Sequence, residues 1–517
     1  MASGENDLWK APAVHPISRE QVQAISDQLR LECSAEDVDS YTESIAGVLK
    51  SYQRINEMVE PALPVKYPRT PGYRPQPEEN LLNAWYYRCD IKGAATGKLA
   101  GKKVGIKDNT AVAGVPMMNG SKIMEGYVPE FDATVVTRIL DEGGQIVGKT
   151  ACVNMCLGGA GFNNALAPVL NPVKKDHVPG GSSSGSGALL AAGEIDLATG
   201  GDQGGSIRIP ACWCGVVGLK PTFGLVPYTG CVPIDMTLDH CGPMARTVRD
   251  CALFLEVLAG YDDGNDPRQP PNIQVPEYSN MLTETLEGKR IALLREGFEI
   301  CEKDVADMVK TAAHKLEQKG AVVTEISLPG HKDGFRISSA IGIEGFYQTV
   351  MAGSGKSHRG LERQYFPSML DHLGQACSNR SRDFSDVARM YLIAGHYLKM
   401  SYHGRFYAKA QNLGRSLKKM YDDALMDHDV IIMPTLPSKH PRFPRQTALS
   451  RAKRIALLRG ITPNTSPFNV TGHPSLSISV GKSEGLPVGM QITGKLFDDL
   501  TVLQVAHVYE SMRGETA

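Results

Sequence analysis

No apolar run in this chain approaches the ~20 residues needed to span a bilayer, so a membrane protein is not expected. No long block of one charge occurs either. The chain has 55 lysines and arginines against 56 aspartates and glutamates, a formal net charge of -1. Nucleic acid and anionic membranes, which call for a basic face, are therefore not expected partners. Zinc spacing is missing too: Cys152/Cys156 and Cys212/Cys214 are the only close cysteine pairs, and neither has a second pair or a histidine pair to complete it. Five of the 11 cysteines lie between Cys212 and Cys251 among Gly, Val, Leu and Ala. They read as reduced core thiols, which fits a reducing, cytoplasmic compartment. Met1-Ala2-Ser3-Gly4-Glu5-Asn6-Asp7 lacks the basic-then-apolar pattern of a secretory signal. No internal repeat is found, and neither a metal nor a cofactor is expected.

What remains is a chain of 517 residues, 42% hydrophobic, long enough for more than one domain and a large core. Residues 17–60 read as helices. Ser18-Arg19-Glu20-Gln21 can cap the first, and Val22, Ile25, Leu29 and Leu31 give it an apolar side. A second, from about Ala35 to Met58, carries Val38, Tyr41, Ile45, Val48 and Leu49 at helical spacing. Pro61, Pro64, Pro68, Pro71, Pro75 and Pro77 then fall within seventeen residues, a stretch that reads as an extended connector. The boundary is placed near residue 95, separating a helical N-terminal region with its connector (1–95) from the rest (96–517).

Beyond Leu99 short strands alternate with helices. Lys103–Ile106 and Gln145–Gly148 read as strands, Ala133–Glu142 as a helix, and Ser186–Ala192 as a helix opened by a Gly/Ser loop. Further strands are expected at Arg290–Leu294, Val430–Met433 and Ser475–Val480. Residues 302–427 read as mostly helical, with a loop at Gly353-Ser354-Gly355-Lys356. The alternation predicts an α/β core.

Two small-residue tracts carry the chemistry. The first is Gly180-Gly181-Ser182-Ser183-Ser184-Gly185-Ser186-Gly187. A flexible linker is the usual meaning of such composition, but Val178-Pro179 and Ala188-Leu189-Leu190-Ala191-Ala192 flank it. A phosphate-binding helix start is a second option, yet the Gly-Lys-Ser/Thr ending of a Walker loop is absent. Gly181-Ser182-Ser183-Ser184-Gly185 also matches G-x-S-x-G, which would make Ser183 an α/β-hydrolase nucleophile. The second tract is Gly200-Gly201-Asp202-Gln203-Gly204-Gly205-Ser206-Ile207-Arg208-Ile209-Pro210. Its glycines let backbone approach a substrate closely. Successive N–H groups from Gln203 through Gly204 and Gly205 to Ser206 could converge on a developing oxyanion. Asp202 and Arg208 flank this loop and can pair to hold it. A tight turn with a structural serine is the plain alternative. Lys107, alone, reads as a surface charge, but it ends the apolar run Val104-Gly105-Ile106, where a buried strand emerges. A desolvated lysine can serve as a base.

Taken together these pieces resemble the amidase signature family over about residues 96–510. Lys107-Asp108 follows Gly105-Ile106 as in the family's lysine motif. Pro179–Ser186 matches its Gly-Gly-Ser-Ser segment, and Asp202–Pro210 its nucleophile segment, with Ser206 24 residues on from Ser182. Gly218-Leu219-Lys220-Pro221-Thr222, Pro467-Phe468-Asn469-Val470-Thr471-Gly472-His473-Pro474 and Gly485-Leu486-Pro487-Val488-Gly489-Met490-Gln491 follow in order. The resemblance implies a large mixed sheet sandwiched by helices and a Ser-Ser-Lys triad. Ser206 is then the nucleophile, Ser182 the bridging serine reached through a cis peptide bond, and Lys107 the base, neutral in the resting enzyme. Asp202, Arg208 and Ser183 stand behind them. Asn154-Met155-Cys156-Leu157-Gly158-Gly159 should lie beside the acyl pocket, with Cys156 and Leu157 either lining it or merely packing.

The Asp-Gln-Gly-Gly-Ser version with a helical N-terminal region is similar to amidases that accompany nitrile breakdown, in which those helices help make a homodimer. Cys212-Trp213-Cys214 and Cys231 depart from that subgroup. The expected activity is hydrolysis of a small amide, anilide or carbamate to a carboxylic acid plus ammonia or amine. The alternative is the glutaminase-like subunit of a tRNA-dependent amidotransferase.

Overall fold

The computed structural model describes residues 12–353, 364–444 and 449–514. The loop expected at Gly353–Lys356 lies outside the described residues from Ser354 onward. By its contacts the chain divides after Pro64 into two compact units. The first contains α1 (Arg19–Leu29) and α2 (Ala35–Glu57). Ser18 caps α1 as its sequence predicts: Gln21 N–H donates to Ser18 Oγ (3.2 Å) and Ser18 N–H to Gln21 Oε1 (2.8 Å). Ser34 and Asp37 repeat the reciprocal pair on α2. Such boxes satisfy N–H groups that a helix start leaves without partners. Val22 and Val38 are buried, whereas Ile25, Leu29, Tyr41 and Val48 are exposed.

The second unit is built on one sheet of eleven strands. In chain order these are β1 (Trp85–Lys92), β2 (Lys103–Lys107), β3 (Gln145–Thr150), β4 (Leu197–Asp202), β5 (Val217–Lys220) and β6 (His240–Ala245). They continue with β7 (Arg290–Leu294), β8 (Val322–Ile326), β9 (Val430–Pro434), β10 (Ser475–Ser483) and β11 (Leu486–Gly494). Their order across the sheet is β1-β3-β2-β4-β6-β5-β10-β11-β9-β7-β8. β3, β2 and β4 run parallel, as do β9, β7 and β8; the remaining neighbours are antiparallel. Successive strand residues face opposite sides of a sheet. Every residue of β4, β6 and β11 is nevertheless buried, so both faces of the sheet are covered. This is the expected α/β sandwich, with Ile106, Leu197, Ile432, Ile478 and Ile492 in one apolar core. Among the described residues no helix is long and apolar enough to cross a membrane.

Two expectations need correction. The boundary at residue 95 falls inside the second unit, because β1 pairs with β3 (Trp85 opposite Thr150, Ile91 opposite Ile146). The run of prolines hides the strand after it, whose apolar residues Trp85, Tyr86, Cys89 and Ile91 are buried in the sheet. β8 also interrupts a stretch that reads as helical. Val322, Val323, Thr324 and Ile326 are all β-branched, a local strand signal that the reading of this stretch as mostly helical passes over.

Three connections set up the site. α3 (Thr134–Asp141) links β2 to β3, α4 (Ser184–Ala191) precedes β4, and α5 (Arg208–Cys214) links β4 to β5. Because β2 and β4 are parallel neighbours, Lys107 and Asp202 end their strands on the same edge of the sheet. In α/β sheets this carboxyl edge is where ligands bind.

Candidate active site

Lys107 is fully buried at the end of β2. Its Nζ lies 2.7 Å from Ser182 Oγ and donates to Gly201 O at 2.9 Å. Its backbone N–H is held by Thr199 Oγ1 (2.9 Å) on β4. Glycine at position 201 leaves room for this, since a Cβ there would stand 3.3 Å from Lys107 Nζ and 3.2 Å from Asn109 Nδ2, a tight contact. Among the described residues no carboxylate pairs with Lys107. The other lysine nearby, Lys149, does pair, with Asp108 at 3.2 Å.

Ser182 sits in the loop before α4, and the Gly181–Ser182 peptide bond is cis. Its carbonyl accepts Val153 N–H (3.2 Å), and Gly181 N–H donates to Gly159 O (2.6 Å). The lysine loop, the Gly/Ser loop and the Cys156–Gly159 loop are thereby tied together. Ser183 is fully buried, and its Oγ accepts Gly201 N–H at 3.3 Å. Its own N–H donates to Ser206 O at 3.3 Å, joining the two small-residue tracts. It does not line the cavity, so the G-x-S-x-G match does not mark an exposed nucleophile.

Ser206 faces a cavity of about 90 Å³, lined also by Gln203, Gly204, Cys156 and Leu157. Behind Ser206 the loop is clamped by Asp202. One carboxylate oxygen accepts Gly205 N–H (2.7 Å) and Arg208 Nη2–H (3.0 Å), the other Ile207 N–H (3.1 Å) and Arg208 Nε–H (3.0 Å). Burial alone would raise the Asp202 carboxyl. The Arg208 charge, with hydrogen bonds from Arg208, Asn469 and Ile207, outweighs burial and holds it well below the usual carboxylate range.

The clamp corrects one expectation. Gly205 N–H is taken by Asp202, so Gly205 is not a donor toward the cavity. Among the described residues the N–H groups of Gln203, Gly204 and Ser206 have no acceptor within the chain. Gly205 serves instead by shape. Its φ of +134° suits glycine, and a Cβ there would meet Thr465 Oγ1 at 2.4 Å. Thr465 Oγ1 donates to Gly204 O (2.6 Å), bracing the loop from the far side.

Cys156 brings an unexpected feature. Met155 and Cys156 adopt left-handed backbone (φ 49° and 57°), and Cys156 Sγ donates to Asn119 Oδ1 at 3.2 Å. Cys152 Sγ approaches the same oxygen at 3.6 Å. The Cys156 thiol is pulled down to about 6, first by its hydrogen bond with Cys152, then, against burial, by Lys107 and Ser182. All eleven cysteines are free thiols, nine of them buried.

Several supporting residues escape a sequence reading. Asn469 Nδ2 donates to Asp202 O (2.8 Å) and Oδ1 (2.9 Å), while its Oδ1 accepts from Arg208 (2.8 Å). Arg208 also donates to Thr465 O and Gln491 Oε1, each at 2.9 Å. Gln203 Nε2 is held by Tyr228 OH (2.9 Å). Asn469 and Gln491 stand within matched segments, but nothing local links them to Asp202 or Arg208 more than 250 residues away.

Comparison with known proteins identifies the family. The Amidase family profile matches residues 73–503. An enantioselective amidase of Rhodococcus rhodochrous is 39% identical over 499 residues, 95% of each chain. The structure of a glutamyl-tRNA(Gln) amidotransferase subunit from Thermotoga maritima superposes with a TM-score of 0.68 at 30% identity, covering 83% of this chain and 87% of that one. The native peptide amidase of Stenotrophomonas maltophilia gives 0.68 at 28% identity, over 81% and 84%. The profile match over most of the chain and the 39% identity to a curated amidase over 95% of it place the chain in the amidase signature family of amide hydrolases.

Proposed function

We propose that amide hydrolysis here runs through an acyl-enzyme on Ser206, with Ser182 and Lys107 as the proton relay. Ser206 Oγ attacks the amide carbonyl and passes its proton to Ser182, which passes its own to Lys107. The negative oxygen that forms is received by the N–H groups of Gln203, Gly204 and Ser206; such donors contribute roughly a hundred- to a thousand-fold each. Collapse breaks the C–N bond, and the relay returns the proton to the departing ammonia or amine. Water then attacks the ester through the same relay, releasing the carboxylic acid and Ser206. No step calls on a metal or cofactor.

The observation that carries this reading is the 2.7 Å contact between Lys107 Nζ and Ser182 Oγ, buried behind the cavity that Ser206 faces. The test is turnover of a panel of amides, anilides, carbamates and esters by the purified chain. Ser206→Ala and Lys107→Ala are expected to lose at least ~1000-fold in kcat/KM, as removal of a triad member does elsewhere, with Ser183→Ala still active. Activity surviving in Ser206→Ala but lost in Ser183→Ala would overturn the assignment.

The likeness to an amidotransferase component favours a second reading, a glutaminase-type subunit that works only with partners. Turnover by the isolated chain decides between them. A cytoplasmic homodimer acting on a small amide completes the proposal. The exposed apolar residues of α1 and α2 support the dimer.

A further inference from the structure

One wall of the nucleophile cavity carries a cation with no counter-ion among the described residues. The helix Arg451–Arg459 ends at Arg459, and Leu458 and Arg459 both line the cavity that holds Ser206. This helix end is fixed to the catalytic loops: Gly159 N–H donates to Leu458 O (2.8 Å), and Gly159 O accepts Gly181 N–H (2.6 Å), next to Ser182. The other arginines of the helix are neutralised outside the cavity. Arg451 and Arg454 share the Asp386 carboxylate at 3.1 and 3.3 Å. Arg459, among the described residues, pairs with no carboxylate. Its guanidinium carbon lies 5.4 Å from the ring centre of Tyr391, another cavity residue, whose neighbour Phe346 meets it edge-on at 6.1 Å. The ring holds the planar group in place without neutralising it. Among the described residues no aspartate or glutamate lines the cavity. Ser338 and Ser339, on the helix His331–Phe346, add hydroxyls to the same wall.

From this we infer that the enzyme takes amides carrying a carboxylate remote from the scissile carbonyl, with Arg459 as the residue that binds it. The inference rests on the Ser206 reading above and deepens it. A guanidinium already half out of water and short of an anion gains most from a carboxylate, which it can grip with two parallel hydrogen bonds. The same wall, as described, offers no anion to an ammonium group. A simple anionic amide is therefore preferred over a zwitterionic amino-acid amide such as glutamine, which separates this substrate class from that of a glutaminase.

The test compares glutaric acid monoamide, its methyl ester, glutamine and N-butyrylglycine. The first carries the carboxylate on the acyl side and the last on the amine side. The monoanion of the favoured side is expected to exceed the neutral ester by ~10–100-fold in kcat/KM, the usual size of one charge-assisted contact. In Arg459→Met that ratio should collapse toward one, mainly through KM, with partial recovery in Arg459→Lys. An unchanged ratio in Arg459→Met, or glutamine as the best substrate, overturns the inference. A separate arm needs no turnover: titrating glutarate into Ser206→Ala and into Ser206→Ala/Arg459→Met by calorimetry. Binding that weakens ~10–100-fold in the double variant supports the inference, and equal binding overturns it. Loss of all amide turnover in the wild-type chain, with glutarate binding intact, would strike the catalytic reading and leave the Arg459 subsite standing.

Discussion

Asp202 does not line the Ser206 cavity, yet five hydrogen bonds converge on its carboxylate, from Gly205, Ile207, Asn469 and twice from Arg208. Asp202→Asn leaves Arg208 buried without its counter-charge, which typically costs about 3–5 kcal/mol. The sign with pH follows from the depressed carboxyl. The stabilisation is fully present above its ordinary value of 3.8 and fades as pH falls below that. Urea unfolding should therefore show a wide gap between wild type and Asp202→Asn at pH 7 that narrows below pH 4; a gap independent of pH would contradict the clamp. Cys156 supports a second test. With its thiol pulled down to about 6, inactivation by iodoacetamide should accelerate through that pH and level off above it. Peptide mapping should find Cys156 labelled before Cys212, which burial pushes up to about 12. Cys156→Ala should resist inactivation. At this scale Ser182 and Ser206 stand out in their glycine-rich tracts, whereas Lys107 alone reads as a surface charge and is singled out by the family resemblance. Asn469, Gln491 and Thr465 do not stand out, since only folding brings them to Asp202 and Arg208.

At the scale of elements, the β4–α5 connection shows how far a motif can be read. Its glycines correctly signal close backbone approach, but not which N–H groups remain available. Gly205 is the case in point: its N–H is bound and its missing side chain is what matters. Gly205→Ala would force Cβ against Thr465 and move the loop. We expect kcat to fall ~100-fold or more, the size of losing an oxyanion donor, with far-UV circular dichroism unchanged; near-normal kcat would show that the loop tolerates the shift. β1 escapes a sequence reading because the prolines before it mask a strand whose partner, β3, lies some sixty residues on. A chain starting at Val65 should still unfold cooperatively, whereas one starting at residue 96 loses buried Trp85, Tyr86 and Ile91 and should not. Thermal unfolding of the two shortened chains checks this.

Across the whole molecule, α1 and α2 bury few of their apolar side chains, with Ile25, Leu29, Tyr41, Val48, Tyr52 and Ile55 all exposed. Sedimentation equilibrium is expected to give twice the 55.9 kDa chain mass, and Tyr52→Glu with Ile55→Glu to reduce it to one. A monomeric wild type would refute the dimer. The alternation of short strands and helices makes the α/β class readable from sequence, since the period of apolar residues is a local property. The strand order is not readable: β5 lies beside β10 and β11 beside β9 because of long-range pairing that leaves no mark within either segment.

The amino-acid sequence by itself determined the family of this protein, and with it the amide-hydrolase class. A lysine ending a buried strand and two serines in glycine-rich loops are local patterns, and the backbone freedom they need is written beside them. The tertiary structure decided the rest. It turned Gly205 N–H toward Asp202, brought Asn469 and Gln491 onto Arg208, and set Arg459 against Tyr391 in the cavity wall. Each of these contacts depends on how the loops and helices sit on the sheet, and most join residues far apart in the chain, so they exist only once the sheet and the helices around it have packed.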